Sequence, residues 1–255
     1  MSIVSILSFF VMFAMVRSES ENGYGAGYLA LVTLPVFLYF ARSKSRLIQM
    51  FICVIILALV LVSMKRGDIL ACIISILVFY LISDRKSIGS NLKRLMSLVL
   101  IVIVGYFFFQ YLLSASDVFA FKVQQTLDGD TSGRDVIYTS LINHFIDAPL
   151  HVQLFGGGFD ATVQIAGARA HSDILEVLSC EGIFGLLIYI SAYIALFVQM
   201  IKLSNSYEKA IIAMILAIWF VKMFVSMFIF SQSTIILFVL AGYILNRIND
   251  KRYEC

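Results

Sequence analysis

The chain has 255 residues, 61% hydrophobic and only 14% charged, with 22 Phe, two Pro and a mean hydropathy of +0.95. That composition excludes an ordinary soluble domain and reads as an all-α polytopic membrane protein. A net charge of +3 is too small to suit nucleic acid, and four scattered cysteines without a CxxC pair, with only three histidines, exclude a recognisable disulfide framework or metal-ligand spacing.

In chain order, apolar runs predict about eight transmembrane helices, near residues 2–16, 28–41, 47–63, 69–83, 95–113, 173–200, 210–230 and 234–246. Several are short for a hydrocarbon core of about 30 Å, so flanking polar side chains must snorkel. The first run, "MSIVSILSFFVMFAMV", lacks a basic leader and a small-x-small cleavage site, and is read as a short span rather than a secretory signal. Three parts follow: transmembrane helices over 1–113, a loop over 114–172, and transmembrane helices with a short tail over 173–255.

Orientation follows from the Lys/Arg bias. The connections "RSKSR", "DRKSIGSNLKR" and "KLSNSYEK" and the tail "NRINDKRYEC" carry twelve of the 19 Lys and Arg, and alternation places all four on one side with the N-terminus. Both termini are therefore expected in the cytoplasm and the 114–172 loop outside.

Within that loop the residues from Ser114 read as a helix, a turn at "DGDTSG" that Thr131 or Ser132 could end as a helix cap, and a second helix stopped by Pro149. Val136, Ile137, Leu141, Ile142 and Phe145 recur near 3.6 residues, which predicts an amphipathic helix along the membrane surface. "LFGGGFD" follows; its three glycines let the backbone turn tightly or approach a ligand closely.

The outward side includes Arg66 in "SMKRGDILA", Arg134 at the start of the loop's second helix, and Arg169 before the sixth span. An ionisable group at membrane depth is costly unless it lines a polar cavity or has a partner. Guanidinium forks suit phosphate oxygens, so the three could hold a pyrophosphate. Equally, each could pair locally: Arg66 with Asp68, Arg134 with Asp135 or Asp130, Arg169 with Asp173. His171 could act as a general base or hydrogen-bond donor, or could cap the next helix or face water. His144 and His151 read as solvated. Asp173, Glu176 and Cys180 share one helical face, while Gly182 and Gly185 suit close helix packing.

The stretch "TSGRDVIYTSLINHF…LFGGGFD…ARAHSDILEVLSCEGIFGLLIY" resembles the signature region of the O-antigen ligase/polymerase superfamily of bacterial envelope glycosyltransferases. "SMKRGDILACIISILVFYL" resembles its upstream motif more loosely, because Met64 and Lys65 separate Ser63 from Arg66. "ENGYGAGYLALVTLP" is similar to the entrance of an earlier span. The resemblance covers roughly residues 20–245 and is specific from Ser132 to Gly185. It implies a GT-C-like inner-membrane protein with its active face in the periplasm. Members usually carry ten or more spans, against about eight counted here, which implies an N-terminally shortened member, a fragment or a misassigned start.

By that resemblance, the protein is a glycosyltransferase that takes a glycan from a polyprenyl-pyrophosphate carrier and joins it to another glycan or to lipid A core. Membrane lipids surround it, and neither metal nor other cofactor is needed. Arg66 and Arg134 would bind the pyrophosphate, with Arg169 a weaker third. His171, with Arg134, would be catalytic, and Asp173 or Glu176 could orient the histidine. Two other classes compete: a transporter whose outward arginines collect anions, for which Lys222 is a lone buried charge, and a non-catalytic or truncated scaffold of surface-polysaccharide assembly.

Overall fold

The computed structural model describes residues 24–63, 65–83, 88–129, 133–229 and 232–253. The expected first span, 2–16, and the two capping candidates Thr131 and Ser132 lie outside them. All regular structure among the described residues is helical. In chain order it comprises α1 (Tyr24–Phe40), α2 (Arg46–Val62), α3 (Arg66–Ile82), α4 (Ile88–Ala115), α5 (Asp117–Leu127), α6 (Arg134–Asp147), α7 (Leu150–Phe155), α8 (Ala161–Ala166), α9 (Asp173–Lys202), α10 (Ser206–Val225), a 3-10 turn (Gln232–Thr234) and α11 (Ile235–Tyr253).

The bundle is organised around α10. Ile211 to Leu216 are buried without a break, and a helix apolar all round must be enclosed by its neighbours. α3 packs along its length; α9, α1 and α11 close the other sides. Trp219 anchors this centre, stacked on Phe228 at 5.2 Å between ring centroids and edge-on to Tyr189, Tyr193 and Phe238. Such ring contacts add to area burial through their quadrupoles.

The outer surface is apolar instead. Residues Leu95–Ala115 of α4 and Asp173–Lys202 of α9 are long and apolar enough to cross a membrane, and few of their side chains are buried. Gly27–Phe40, Arg46–Val62 and Ile235–Asn246 are shorter apolar helices. Exposed Val102, Tyr106 and Phe107 on α4, and Leu187, Ile188 and Ile194 on α9, form a surface that lipid can cover and water cannot.

The two ends of the bundle differ. At one end, Arg42 reaches Glu208 at 3.7 Å, the Tyr207 hydroxyl donates to the Leu38 carbonyl at 2.6 Å, and Ser206 donates to Ser83 at 3.5 Å. Two of the basic connections are thereby gathered beside the C-terminal end of α3. The opposite end carries the start of α3, the α5–α8 excursion and the start of α9.

One expectation is corrected. The seventh predicted run, 210–230, is helical only to Val225, because Ser226 takes an extended conformation. In α6 the five apolar residues divide between two faces. Ile137, Leu141 and Phe145 turn inward with Leu141 buried, whereas Val136 and Ile142 are exposed. Residues at i, i+4 and i+8 stay within one narrow stripe, from which 136 and 142 diverge.

Candidate functional site

Three helix starts and one helix end meet at the second pole of the bundle. α10 terminates at Val225, and its last carbonyls are claimed by side chains from elsewhere. Arg134 Nη1 donates to the Val225 carbonyl at 2.8 Å, and Ser172 Oγ donates to Met223 at 3.2 Å. Both satisfy carbonyls that a helix end leaves orphaned, and the Arg134 cation also complements the negative end of the dipole. Gly67, in the first turn of α3, lies against the same residue: a Cβ there would stand 3.1 Å from Val225 Cγ1. The starts of α3, α6 and α9 are therefore fixed to one helix terminus.

Arg66 is the first residue of α3 and is exposed; Lys65 caps the helix from an extended conformation. Arg134 is the first residue of α6, preceded by Gly133 at φ 76°, a left-handed turn that a non-glycine residue would adopt only with strain. His171 lies two residues before α9, exposed, with its own φ at 53°. A positive φ at a non-glycine residue marks a backbone held by its surroundings. Here the holder is Glu176, which is buried and accepts from the Ala170 amide at 2.8 Å and from Thr162 Oγ1 at 2.9 Å. Tyr138 on α6 adds a bond of 3.4 Å to the His171 carbonyl.

The His171 imidazole is held below its ordinary pKa of 6.5, first by partial burial and then by the Arg134 and Lys65 charges, with Glu176 opposing. The ring is thus neutral at neutral pH and able to accept a proton. Lys65 is the cation that sequence reasoning left out of the site; its adjacency to Arg66 in the loose "SMKRG" motif was the available signal.

Asp173 is fully buried. It accepts from Tyr189 Oη at 2.7 Å and from the Phe228 and Ile229 amides at 2.9 and 3.2 Å, so it ties α9 to the segment after α10. Tyr189 in turn accepts from Trp219 Nε1 at 2.6 Å. Glu176 therefore holds the backbone just before His171, and Asp173 fixes the start of the helix just after it to the segment that follows α10.

Long-range contacts engage residues of the local arginine pairings weighed from the sequence. Asp68 is engaged by Lys222 at 2.5 Å, Arg134 by a backbone carbonyl, and Arg169 by Asp160 at 3.2 Å. Arg66 and Asp68 are two residues apart on a helix and point to nearly opposite sides. His144 and His151 are exposed on α6 and α7.

The glycine run approaches protein backbone. α9 breaks at Gly182 (φ 68°), and the amides of Gly157 and Gly158 donate to the Ser179 and Cys180 carbonyls at 2.8 and 3.0 Å. The loop thereby satisfies carbonyls exposed by the helix break.

An apolar groove of about 550 Å³ runs between α3, α9 and α10, from Phe224 and Val225 at the cationic pole to Ile82 and Met200 at the opposite pole. A cationic cluster thus stands at one end of a hydrophobic channel, an arrangement that suits an amphiphile with an anionic head.

The family model described as O-antigen ligase matches residues 51–190, a span that includes Arg66, Arg134, Arg169 and His171. No curated protein and no solved structure matches the chain.

Proposed function

From the premise that this chain belongs to the O-antigen ligase family, a ligase/polymerase type of polysaccharide-biosynthesis protein of the inner membrane, we propose that it transfers a glycan from a polyprenyl-pyrophosphate carrier to a sugar acceptor at the periplasmic face. The acceptor is lipid A core or another lipid-linked glycan. The observation that carries this reading is the meeting of Arg134, Lys65 and the start of α3 beside a neutral His171, at the mouth of an apolar groove.

The acceptor hydroxyl attacks the anomeric carbon of the donor, and the bond from that carbon to the pyrophosphate oxygen breaks. The hydroxyl proton passes to the neutral His171 imidazole, which releases it to water after transfer. Negative charge grows on the departing lipid pyrophosphate. Arg66 and Arg134 stabilise it, helped by Lys65 and by the dipoles of α3 and α6, with Arg169 a weaker third. The isoprenoid occupies the groove between α3, α9 and α10. Asp173 and Glu176 act as positioning residues through the loop backbone. No metal is required, because the donor arrives activated.

The test uses the full chain in lipid nanodiscs with a polyprenyl-pyrophosphate-linked oligosaccharide and a glycolipid acceptor. Wild type releases polyprenyl pyrophosphate in step with new glycosidic product. Arg134→Ala and His171→Ala each lower the rate on the order of 100-fold or more at normal protein level. Wild-type rates from either variant would defeat the proposal.

A further inference from the structure

Lys222 and Asp68 form a fully buried ion pair, Nζ to Oδ1 2.5 Å, with side chains only 2% and 1% exposed. Nothing in the transfer chemistry uses it. Its position, however, is specific. Asp68 is in the first turn of α3, two residues after Arg66; Lys222 is in the last turn of α10, three residues before the carbonyl that binds Arg134. Between them lies the seam where Gly67 rests on Val225.

As a source of stability the pair is poor. Desolvating two charges costs more than an apolar replacement of the same shape, and Asp68 Oδ2 is buried without a hydrogen-bond partner among the described residues. The pair is instead surrounded by groups that fix its place. Lys222 Nζ sits 4.2 Å from the centre of the Tyr28 ring. The Tyr28 hydroxyl bonds Thr234 at 2.6 Å, and Thr234 bonds the Phe228 carbonyl at 2.5 Å. α1, α3, α10 and the turn before α11 are all referenced to this one contact.

We infer that Lys222 and Asp68 are positioning residues that clamp α3 to α10 and so set the spacing between the Arg66 and Arg134 forks for two phosphates rather than one. The inference rests on the anion-site reading above. A ligand with a single phosphate can be held by either fork; a pyrophosphate spans both, so only its binding depends on their separation. The clamp thus acts on selectivity between the two ligands.

The experiment measures affinity of the full chain in nanodiscs for farnesyl pyrophosphate and for farnesyl monophosphate. One variant is the double substitution Asp68→Leu with Lys222→Met, which keeps an apolar seam without the charge clamp. The second is Gly67→Ala, which leaves the ion pair intact and adds one methyl against Val225. In each, diphosphate affinity falls about tenfold while monophosphate affinity holds within roughly twofold. Retained preference for the diphosphate in the double variant overturns the inference whatever Gly67→Ala does, and an equal loss for both ligands marks general disruption and also overturns it. If these shifts occur but wild type does not turn over the glycan donor, the transferase reading fails and the clamp stands. If wild type binds neither ligand, both fall.

Discussion

Gly156 and Gly182 meet backbone against backbone. A Cβ on Gly156 would collide with the Cys180 carbonyl, and one on Gly182 would stand 2.5 Å from the Leu154 carbonyl group. Both residues hold positive φ, 81° and 68°. The loop before α8 is thereby stitched into the break in α9 that lies below His171.

Alanine at either position is expected to be severe. The methyl group meets main chain, which cannot swing aside, and the left-handed backbone adds strain, for a cost of roughly 3 kcal/mol. Gly158→Ala is the control: its φ is 87° but nothing lies within 4 Å, so only conformational strain of about 1 kcal/mol remains. Thermal melting in detergent and protease cutting between α7 and α9 should separate the two classes. Equal behaviour of all three variants would show that the stitch does not hold the loop.

This stitch was not legible in the sequence, though its glycines were. Backbone-to-backbone pairing leaves no side-chain signature beyond missing side chains, and a run of glycine fits a ligand loop equally well. Helix α2, by contrast, falls within a residue of the expected run at each end, because an unbroken apolar stretch between a basic connection and Ser63 admits one reading. The polar partners were hidden for another reason. Asp68 finds Lys222 at a separation of 154 residues, and Arg134 finds Val225 at 91. Local spacing suggested nearer partners, but neighbours one or two apart on a helix do not face each other. Clustering of Arg134, Lys65 and His171 could be suspected only through family resemblance.

The depressed pKa of His171 sets the direction of the pH response. Folding lowers the value below 6.5, so the folded state binds fewer protons than the unfolded chain just under that pH. The part of stability linked to this residue is therefore present above pH 6.5 and lost as pH falls through the lower folded value. Activity that needs the neutral ring should fall on the same acid limb. Lys65→Ala removes a positive charge acting on the ring, so the limb should move to higher pH. A pH–rate profile for Lys65→Ala that overlays wild type would exclude this coupling.

Trp219 is the only tryptophan in the chain, which makes it a private reporter of the core. Its indole donates to Tyr189, whose hydroxyl donates onward to Asp173. Tyr189→Phe leaves the indole N–H without its acceptor and takes one donor from a buried carboxylate, at a cost of roughly 2–3 kcal/mol. Fluorescence emission should shift to the blue as the indole loses its polar partner, and the melting temperature should fall. An unchanged spectrum would mean that the relay is not formed in the membrane.

Which pole faces outward is predicted by charge. The pole gathered by Arg42, Glu208, Tyr207 and Ser83 carries the 42–46 and 202–209 basic connections, and the positive-inside bias predicts that it faces the cytoplasm. On that expectation the α5–α8 excursion lies in the periplasm. Native cysteines do not obscure a labelling test within the bundle, since Cys53, Cys72 and Cys180 are buried. Cys255 is replaced by serine as background. Asp147→Cys, at the exposed end of α6, should react in intact cells with a maleimide too polar to cross the inner membrane. Ser43→Cys, exposed between α1 and α2, should react only after that membrane is opened. The reverse pattern would turn the molecule over and put its arginines on the side where no flipped donor waits, since a carrier-linked glycan presented to the periplasm can meet only side chains that share that compartment.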